Sequence, residues 1–169
     1  TNIICEIGLN HNGSIVRAKK MIDIAKRCGV DTVKLQVAVP CEVKLRTAPL
    51  AKYQNRNIKK KISSFQLSEK LHLKFSEIRE IKKYVENKNL KFLASAFDLK
   101  SLKFLNNIKC NSIKIPSGEI NNFFFLDYCS KKFNEIFLST GMSTLKDVEN
   151  AVKILKKNKD KEIKILQCN

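Results

Sequence analysis

Short β-branched segments alternate with helical patterns along the whole of this 169-residue chain, and this alternation restricts its fold more than any other feature. Strand-like runs recur at six places. We predict strands at Ile3–Ile7, Thr32–Val37, Lys91–Ala96, Ser112–Ile115, Ile136–Ser139 and Ile163–Gln167. A helix between two strands returns the chain to the same end of the sheet, so the strands are expected to run parallel.

Three of the segments between the strands carry apolar residues at the spacing of one helical face. These sets are Ala18, Met21, Ile22 and Ala25; Ile78, Ile81 and Val85; and Leu145, Val148, Val152 and Leu155. Gly29 stands where the first helix should end, and Thr144–Asp147 has the capping-box pattern that begins a helix. The end signals therefore agree with the helical periodicity.

Three features favour a (β/α) barrel of the TIM type over an open parallel sheet. Polar or charged residues recur at the carboxyl end of nearly every strand, no glycine-rich dinucleotide loop follows the first strand, and the repeated units have similar lengths. A complete barrel typically needs about 250 residues. We therefore expect residues 1–169 to form one α/β domain, a parallel barrel truncated after about six strands. The connection from Ala38 to about Lys74 is far longer than an ordinary βα loop, and we expect it to cover a site.

The net charge of +17 raises the question of nucleic-acid binding, because clustered Lys and Arg are favoured there. The lysines fall mainly on the polar faces of predicted helices, and the one tight basic run is Lys59–Lys61 in the long connection. We expect no nucleic-acid partner, but a positive field that speeds the arrival of an anionic substrate. No apolar run of about 18 residues and no signal peptide is visible, and the six cysteines lack metal-ligand spacing. A cytoplasmic protein with no membrane partner is expected.

Two lysines are predicted to point into the interior of the barrel. Lys34 and Gln36 lie on the same side of the second strand, and Lys114 stands between apolar neighbours on the fourth. A buried lysine requires an anion, so Lys34 is either paired with Glu6 or held for a phosphate or carboxylate. Two inward lysines on separate strands are hard to satisfy with protein carboxylates alone, which favours a site for a small anion.

Hydroxyl side chains collect at the same ends of the strands. Ser95, Ser117 and Ser139 lie at or just after the ends of the third, fourth and fifth strands. Singly, each serine is typical of a helix cap, but their recurrence at one edge supports an anion site. His11 lies in the Asn-Gly turn after the first strand, where a histidine more often hydrogen-bonds its own loop than acts as a base or ligand.

Four motifs, in this order and at these spacings, resemble the sialic acid synthase family. They are Glu6–Gly13, Val33–Gln36, Lys114–Glu119 and Leu138–Met142, and Ala51–Gln54 in the long connection is also similar. The resemblance covers the whole chain. It implies condensation of phosphoenolpyruvate with an N-acylated hexosamine, such as N-acetylmannosamine, to give N-acetylneuraminate and phosphate.

The resemblance also implies roles for individual residues. Lys34, Ser95, Lys114, Ser117 and Ser139 would hold the phosphate and carboxylate of phosphoenolpyruvate. Glu6, Gln36 and Glu119 would face the sugar or assist proton transfer, so that Glu6, Lys34, Lys114 and Glu119 form the predicted catalytic set.

A divalent metal, Mn²⁺ or Mg²⁺, and a homodimer are further implications of the resemblance. In the family the metal-binding histidines come from late strands, and an antifreeze-like domain reaches over the partner's active site. Neither is expected in this chain. We therefore expect residues 1–169 alone to bind metal poorly and to be inactive.

Several alternatives remain open on the sequence. A phosphoenolpyruvate-condensing barrel that makes a seven- or eight-carbon sugar acid would share the anion site, but not the Asn10–Gly13 and Ser117–Glu119 motifs. Gln167–Asn169 leans towards a legionaminic acid synthase, whereas Pro116–Gly118 disfavours a pseudaminic acid synthase. Ser95–Phe97 departs from the Thr-Pro-Phe that is frequent in the family, keeping the hydroxyl but losing the proline.

Overall fold

The computed structural model describes residues 1–51, 54, 62–158 and 161–168. Its sheet has six parallel strands, and the sequence placed each strand boundary to within one residue. The strands are β1 Ile4–Gly8, β2 Thr32–Val37, β3 Lys91–Ala96, β4 Ser112–Ile115, β5 Glu135–Ser139 and β6 Glu162–Leu166.

The predicted helices form, and four further helices accompany them in the described part of the chain. The helices are α1 Ile15–Arg27, α2 Pro40–Val43, α3 Ser64–Leu71, α4 Phe75–Asn87, α5 Leu99–Asn107, α6 Phe123–Lys132 and α7 Leu145–Leu155, with a 3₁₀ turn at Ser117–Glu119. Gly29 follows the end of α1 in the left-handed region, and Thr144 and Asp147 form the predicted capping box. None of the helices described is long and apolar enough to cross a bilayer.

The order of the strands identifies a barrel-type sheet. Each strand pairs with the next one in sequence, from β1 to β6. Right-handed crossovers to successive neighbours place all the helices on one side, whereas an open doubly wound sheet reverses its order and has helices on both sides. The predicted parallel (β/α) barrel class is confirmed, with six strands that do not close into a ring within the described residues.

Packing of the helices against the sheet forms one core. Ile22 of α1 and Ile78, Ile81 and Val85 of α4 are fully buried or nearly so, as their spacing predicted. The prediction was wrong for Leu145, which is 83% exposed. The capping box begins α7 at this residue, and the contacts of the helix with the core begin only about a turn later.

The long connection is not one irregular loop, because α2 and α3 form within it. A side chain at Gly13 would lie 2.1 Å from the carbonyl oxygen of Lys70, so the turn after β1 packs directly on α3. The connection therefore lies beside the carboxyl ends of the strands. The basic run Lys59–Lys61 and residues 52 and 53 of the motif Ala51–Gln54 lie outside the described residues.

Strand register aligns the predicted site residues. Glu6 is the partner of Lys34, Gln36 is the partner of Ser95, and Ser95 is the partner of Lys114. Side chains alternate along a strand, and paired residues of neighbouring strands share a face. All five side chains therefore face away from the helices, into the interior of the barrel.

Candidate functional site

Lys34 is held by two neighbours on adjacent strands. Its ammonium forms an ion pair with Oε2 of Glu6 and lies 3.3 Å from Oγ of Ser95. The side chain of Lys34 is 10% exposed, whereas that of Glu6 is 46% exposed. The pairing with Glu6, one of the two possibilities that the sequence left open, therefore exists, and the carboxylate also reaches solvent.

Lys114 differs from Lys34 because it has no carboxylate of its own. Among the residues that the structure describes, neither an ion pair nor a hydrogen bond engages its ammonium, although the side chain is half-buried. Burial, followed by the positive charge of Lys34, lowers the pKa of Lys114, while Glu6 and Cys168 oppose the shift. We call Glu6, Lys34, Ser95 and Lys114 the lysine cluster. It contains two cationic side chains and one carboxylate.

Hydroxyl groups lie at or just after the ends of β3, β4 and β5, the strands that carry or adjoin Lys114. Ser95 is buried and is the register partner of Lys114. Ser139 is buried at the end of β5, and Ser117 is half-buried in the 3₁₀ turn that follows β4. The recurrence of serines at one edge of the sheet, which the sequence predicted, is present in the fold.

Gln36 and Glu6 meet at the end of β1. Gly8 ends this strand at φ +55°, and a β-carbon built on it would lie 3.0 Å from Oε1 of Glu6 and 3.8 Å from Nε2 of Gln36. An amide and a carboxylate therefore flank the same strand end. Such a pair can donate to and accept from the hydroxyl groups of a sugar.

Glu119 points elsewhere in this structure. Its Oε2 accepts a hydrogen bond of 2.7 Å from Nδ2 of Asn122, just before α6. Within the described ranges, no hydrogen bond or ion pair joins Glu119 to either lysine of the cluster. Its role towards the sugar stays a prediction.

His11 is fully buried in the turn after β1. Its Nδ1 accepts a 3.2 Å hydrogen bond from the backbone N–H of Gly13, as expected of a histidine that orders its own loop. Burial, and then the nearby His72, lower the pKa of His11. Its Nε2 has no hydrogen-bond partner within the part of the chain that the structure describes.

Sequence analysis missed one residue that shapes this edge of the sheet. Asp98 is a buried carboxylate directly after β3, and its Oδ2 accepts a 2.8 Å hydrogen bond from the backbone N–H of Val39. It also caps α5 through Ser101. The spacing of Asp98 and Ser101 is the ordinary N-cap signal and could have been noticed.

The described residues do not provide a metal site. They contain no group of three or more His, Cys, Asp or Glu side chains placed to hold an ion. The divalent metal implied by the resemblance therefore does not fit this set of residues, and we assign no chemical step to it. That its ligands lie elsewhere in a longer protein stays a prediction.

Comparison with known proteins gives consistent matches. Residues 21–169 match the model of the NeuB family. The N,N'-diacetyllegionaminic acid synthase of Campylobacter jejuni is 38% identical over 170 residues, which cover 99% of this chain and 51% of that protein. The human N-acetylneuraminate-9-phosphate synthase is 36% identical over 157 residues, covering 91% of this chain and 43% of that protein.

A solved structure is also similar over nearly the whole chain. The N-acetylneuraminic acid synthetase of Leptospira borgpetersenii, crystallised with citrate, superposes with a TM-score of 0.81 at 27% identity. The match covers 98% of this chain and 53% of that one. The chain thus spans about half the length of the relatives that it matches.

Proposed function

The chain belongs to the NeuB family, and from this we propose that the protein condenses phosphoenolpyruvate with an N-acylated hexosamine to form a nonulosonic acid. The relatives named above are synthases of such acids, as their names state. The product would enter surface-carbohydrate biosynthesis. We also propose that the complete protein is a cytoplasmic homodimeric transferase without a nucleic-acid or membrane partner.

The ammonium of Lys114, which has no ion-pair or hydrogen-bond partner among residues 1–51, 54, 62–158 and 161–168, is the observation that carries this proposal. A half-buried lysine that pairs with no carboxylate of the described residues and lies near a second lysine is unfavourable in its charged form. A phosphate or carboxylate bound beside it would supply the missing negative charge, and Arg or Lys groups serve phosphates in this way. Phosphoenolpyruvate carries both anionic groups.

The chain's own residues have the following proposed tasks. Lys34, Lys114 and the hydroxyls of Ser95, Ser117 and Ser139 orient phosphoenolpyruvate through its two anionic groups. Its C3 then attacks the carbonyl carbon of the open-chain sugar, and the carbon–carbon bond forms. Water adds at C2, and the C–O bond to phosphate breaks with release of inorganic phosphate.

Glu6 and Gln36 are placed to serve the sugar side of this reaction. Glu6 is half-exposed next to Lys34, so it can accept a hydrogen bond from a sugar hydroxyl while it keeps its ion pair, whereas taking up a proton would end that pair. Glu119 is proposed to orient the aldehyde end of the sugar. If Glu119→Gln left both kcat and KM for the sugar unchanged, that role would be refuted.

The acceptor sugar has two candidates. N-acetylmannosamine is the acceptor that the sequence motifs suggested, and it would give N-acetylneuraminate. A diacetamido hexose would give N,N'-diacetyllegionaminic acid, and the 38% identity with a synthase of that name supports this second candidate. The reaction centre is the same for both, so the choice depends on side chains that contact the distal part of the sugar.

A phosphate-release assay of the full-length protein tests the proposal. With phosphoenolpyruvate, Mn²⁺ or Mg²⁺ and a panel of N-acylated hexosamines, we expect release of phosphate with at least one acceptor. Residues 1–169 alone are expected to give none, and turnover by this piece would contradict that expectation.

Lys114→Met is the decisive variant. We expect the affinity for phosphoenolpyruvate to fall at least about 30-fold, because loss of one partner of a buried charged pair costs about 2 kcal/mol or more. Lys131→Met is the matched control, since Lys131 forms an i,i+4 ion pair with Asp127 on the exposed surface of α6, away from the lysine cluster in sequence. An unchanged affinity in Lys114→Met would refute the proposed anion site.

A further inference from the structure

The loop after β5 is fastened to the end of β6 through Thr140. Its backbone N–H and its hydroxyl each donate to the carbonyl oxygen of Leu166 at 3.2 Å. Ser143 closes the turn, because its N–H donates to Thr140 and its hydroxyl to the carbonyl of Gly141, both at 3.2 Å. Gly141 is therefore fixed between the ends of two strands.

Gly141 is also the point at which side chains from two other loops approach. A β-carbon built on it would lie 3.1 Å from Oγ of Ser117, after β4, and 3.1 Å from Sγ of Cys168, after β6. Carbon contacts at van der Waals distance lie near 3.5 Å or more, so a neighbour would have to move by a few tenths of an ångström.

The backbone of Gly141 does not explain why a glycine stands there. Its φ lies outside the left-handed region that favours glycine. The nearby Gly118 is also outside that region, and a β-carbon on it would have no neighbour within 4 Å. Close approach of Ser117 and Cys168 is thus the physical reason for the missing side chain at Gly141.

Both neighbours of Gly141 border the lysine cluster. Ser117 follows Lys114 by three residues, at the end of the same strand. The thiol of Cys168 is close enough to Lys114 to affect the pKa of its ammonium. A shift of either neighbour would therefore occur close to the end of β4, the strand that carries Lys114.

We propose that Gly141 is a positioning residue for the anion site. Its lack of a side chain lets the Ser117 hydroxyl and the Cys168 thiol both approach the backbone of Gly141, and a larger residue pushes the Ser117 hydroxyl away from its place at the end of β4. This inference rests on the proposed function, since it takes the anion to be phosphoenolpyruvate.

Gly141→Ala in the full-length protein tests the positioning role. We expect KM and Kd for phosphoenolpyruvate to rise about tenfold, with kcat changed less than about threefold, because the methyl group disturbs binding of one substrate. Gly118→Ala is the matched control, and its KM and Kd for phosphoenolpyruvate should stay within about twofold of those of the parent protein. Cys168→Ala combined with Gly141→Ala should recover part of the lost affinity, since removal of Sγ gives the new methyl group room to move away from Ser117.

Three results would overturn the positioning role: an unchanged Kd in Gly141→Ala, an equal loss in Gly118→Ala, or no recovery in the double variant. A parent protein that does not bind phosphoenolpyruvate would instead refute the proposed function. In that event, crystal structures of the parent and of Gly141→Ala decide the matter. Displacement of Ser117 Oγ by a few tenths of an ångström supports the role, and an unmoved Ser117 excludes it.

Discussion

Asp98 joins the loops that follow two neighbouring strands, and its replacement should destabilise the protein substantially. The buried carboxylate accepts from the backbone N–H of Val39 at 2.8 Å. It also accepts from the backbone N–H and the hydroxyl of Ser101, both at 2.7 Å. Val39 lies just beyond β2, which carries Gln36, and Asp98 lies just beyond β3, which carries Ser95. One side chain thus fixes the relative position of two proposed substrate-binding strands.

We expect Asp98→Ala to lower the free energy of unfolding by about 2–5 kcal/mol. Loss of a helix N-cap costs about 0.5–2 kcal/mol. Loss of a buried hydrogen bond to a charged acceptor, here from Val39, costs about 1.5–3 kcal/mol. Asp98→Asn keeps an acceptor for the N–H of Ser101, so it should lose only the second of these contributions.

Urea unfolding of the parent and the variants provides the measurement. Asp127→Ala is a suitable control, because Asp127 forms an i,i+4 pair with Lys131 on the surface of α6 and should change stability by less than about 1 kcal/mol. A loss below about 1 kcal/mol in Asp98→Ala would refute the reasoning. An equal loss of unfolding free energy in Asp98→Asn and Asp98→Ala would show that the N-cap of α5 contributes nothing to stability.

Two further substitutions test the turn after β1. Burial lowers the pKa of His11 below 6.5, so folding favours its neutral form, and the free energy of unfolding should decrease as the pH falls below about 6.5. His11→Asn should reduce the dependence of the free energy of unfolding on pH, measured by urea unfolding between about pH 8 and pH 5. The part of this dependence that is due to His72 should remain. An unchanged pH dependence would contradict the prediction. Gly13→Ala should lower the free energy of unfolding by at least about 2 kcal/mol, because Gly13 has a positive φ and an added β-carbon would lie 2.1 Å from the carbonyl oxygen of Lys70 in α3. Gly29 also has a positive φ, but a β-carbon added there would contact nothing within 4 Å. Equal losses of unfolding free energy in Gly13→Ala and Gly29→Ala would therefore exclude a role for the packing of Gly13 on α3.

The fold was largely predictable because its strands are local patterns. Each β-branched run is bounded by turn signals, and the alternation of side chains alone placed Lys34 and Gln36 on one face. Helix α6 was harder to identify, since it begins with three phenylalanines of which Phe123 and Phe124 are exposed. Its first turn therefore lacks the periodic pattern of a buried face.

The residue types of the site were predictable, and the pair of Lys34 with Glu6 was one of two alternatives. Whether Glu6 lies opposite Lys34 depends on the register between β1 and β2, and no local pattern encodes that register. The bond from Val39 to Asp98 spans 59 positions, and the contacts of Gly141 involve two other strands. Such long-range contacts follow from the packed fold and leave no spacing in the sequence.

The lysine cluster contains more positive than negative charge, and this excess affects both stability and the proposed binding of an anion. The carboxylate of Glu6 forms an ion pair with Lys34. Lys114 is half-buried, and its burial disfavours the positively charged form of the ammonium. A second carboxylate beside Lys114 would satisfy its charge but would also repel an anionic substrate. The lysine cluster therefore gives up some stability in the free protein, and the proposed anion would restore it, because any ligand that prefers the folded state stabilises that state. The lack of a partner for Lys114 among the described residues is thus a feature that the proposed anion site requires.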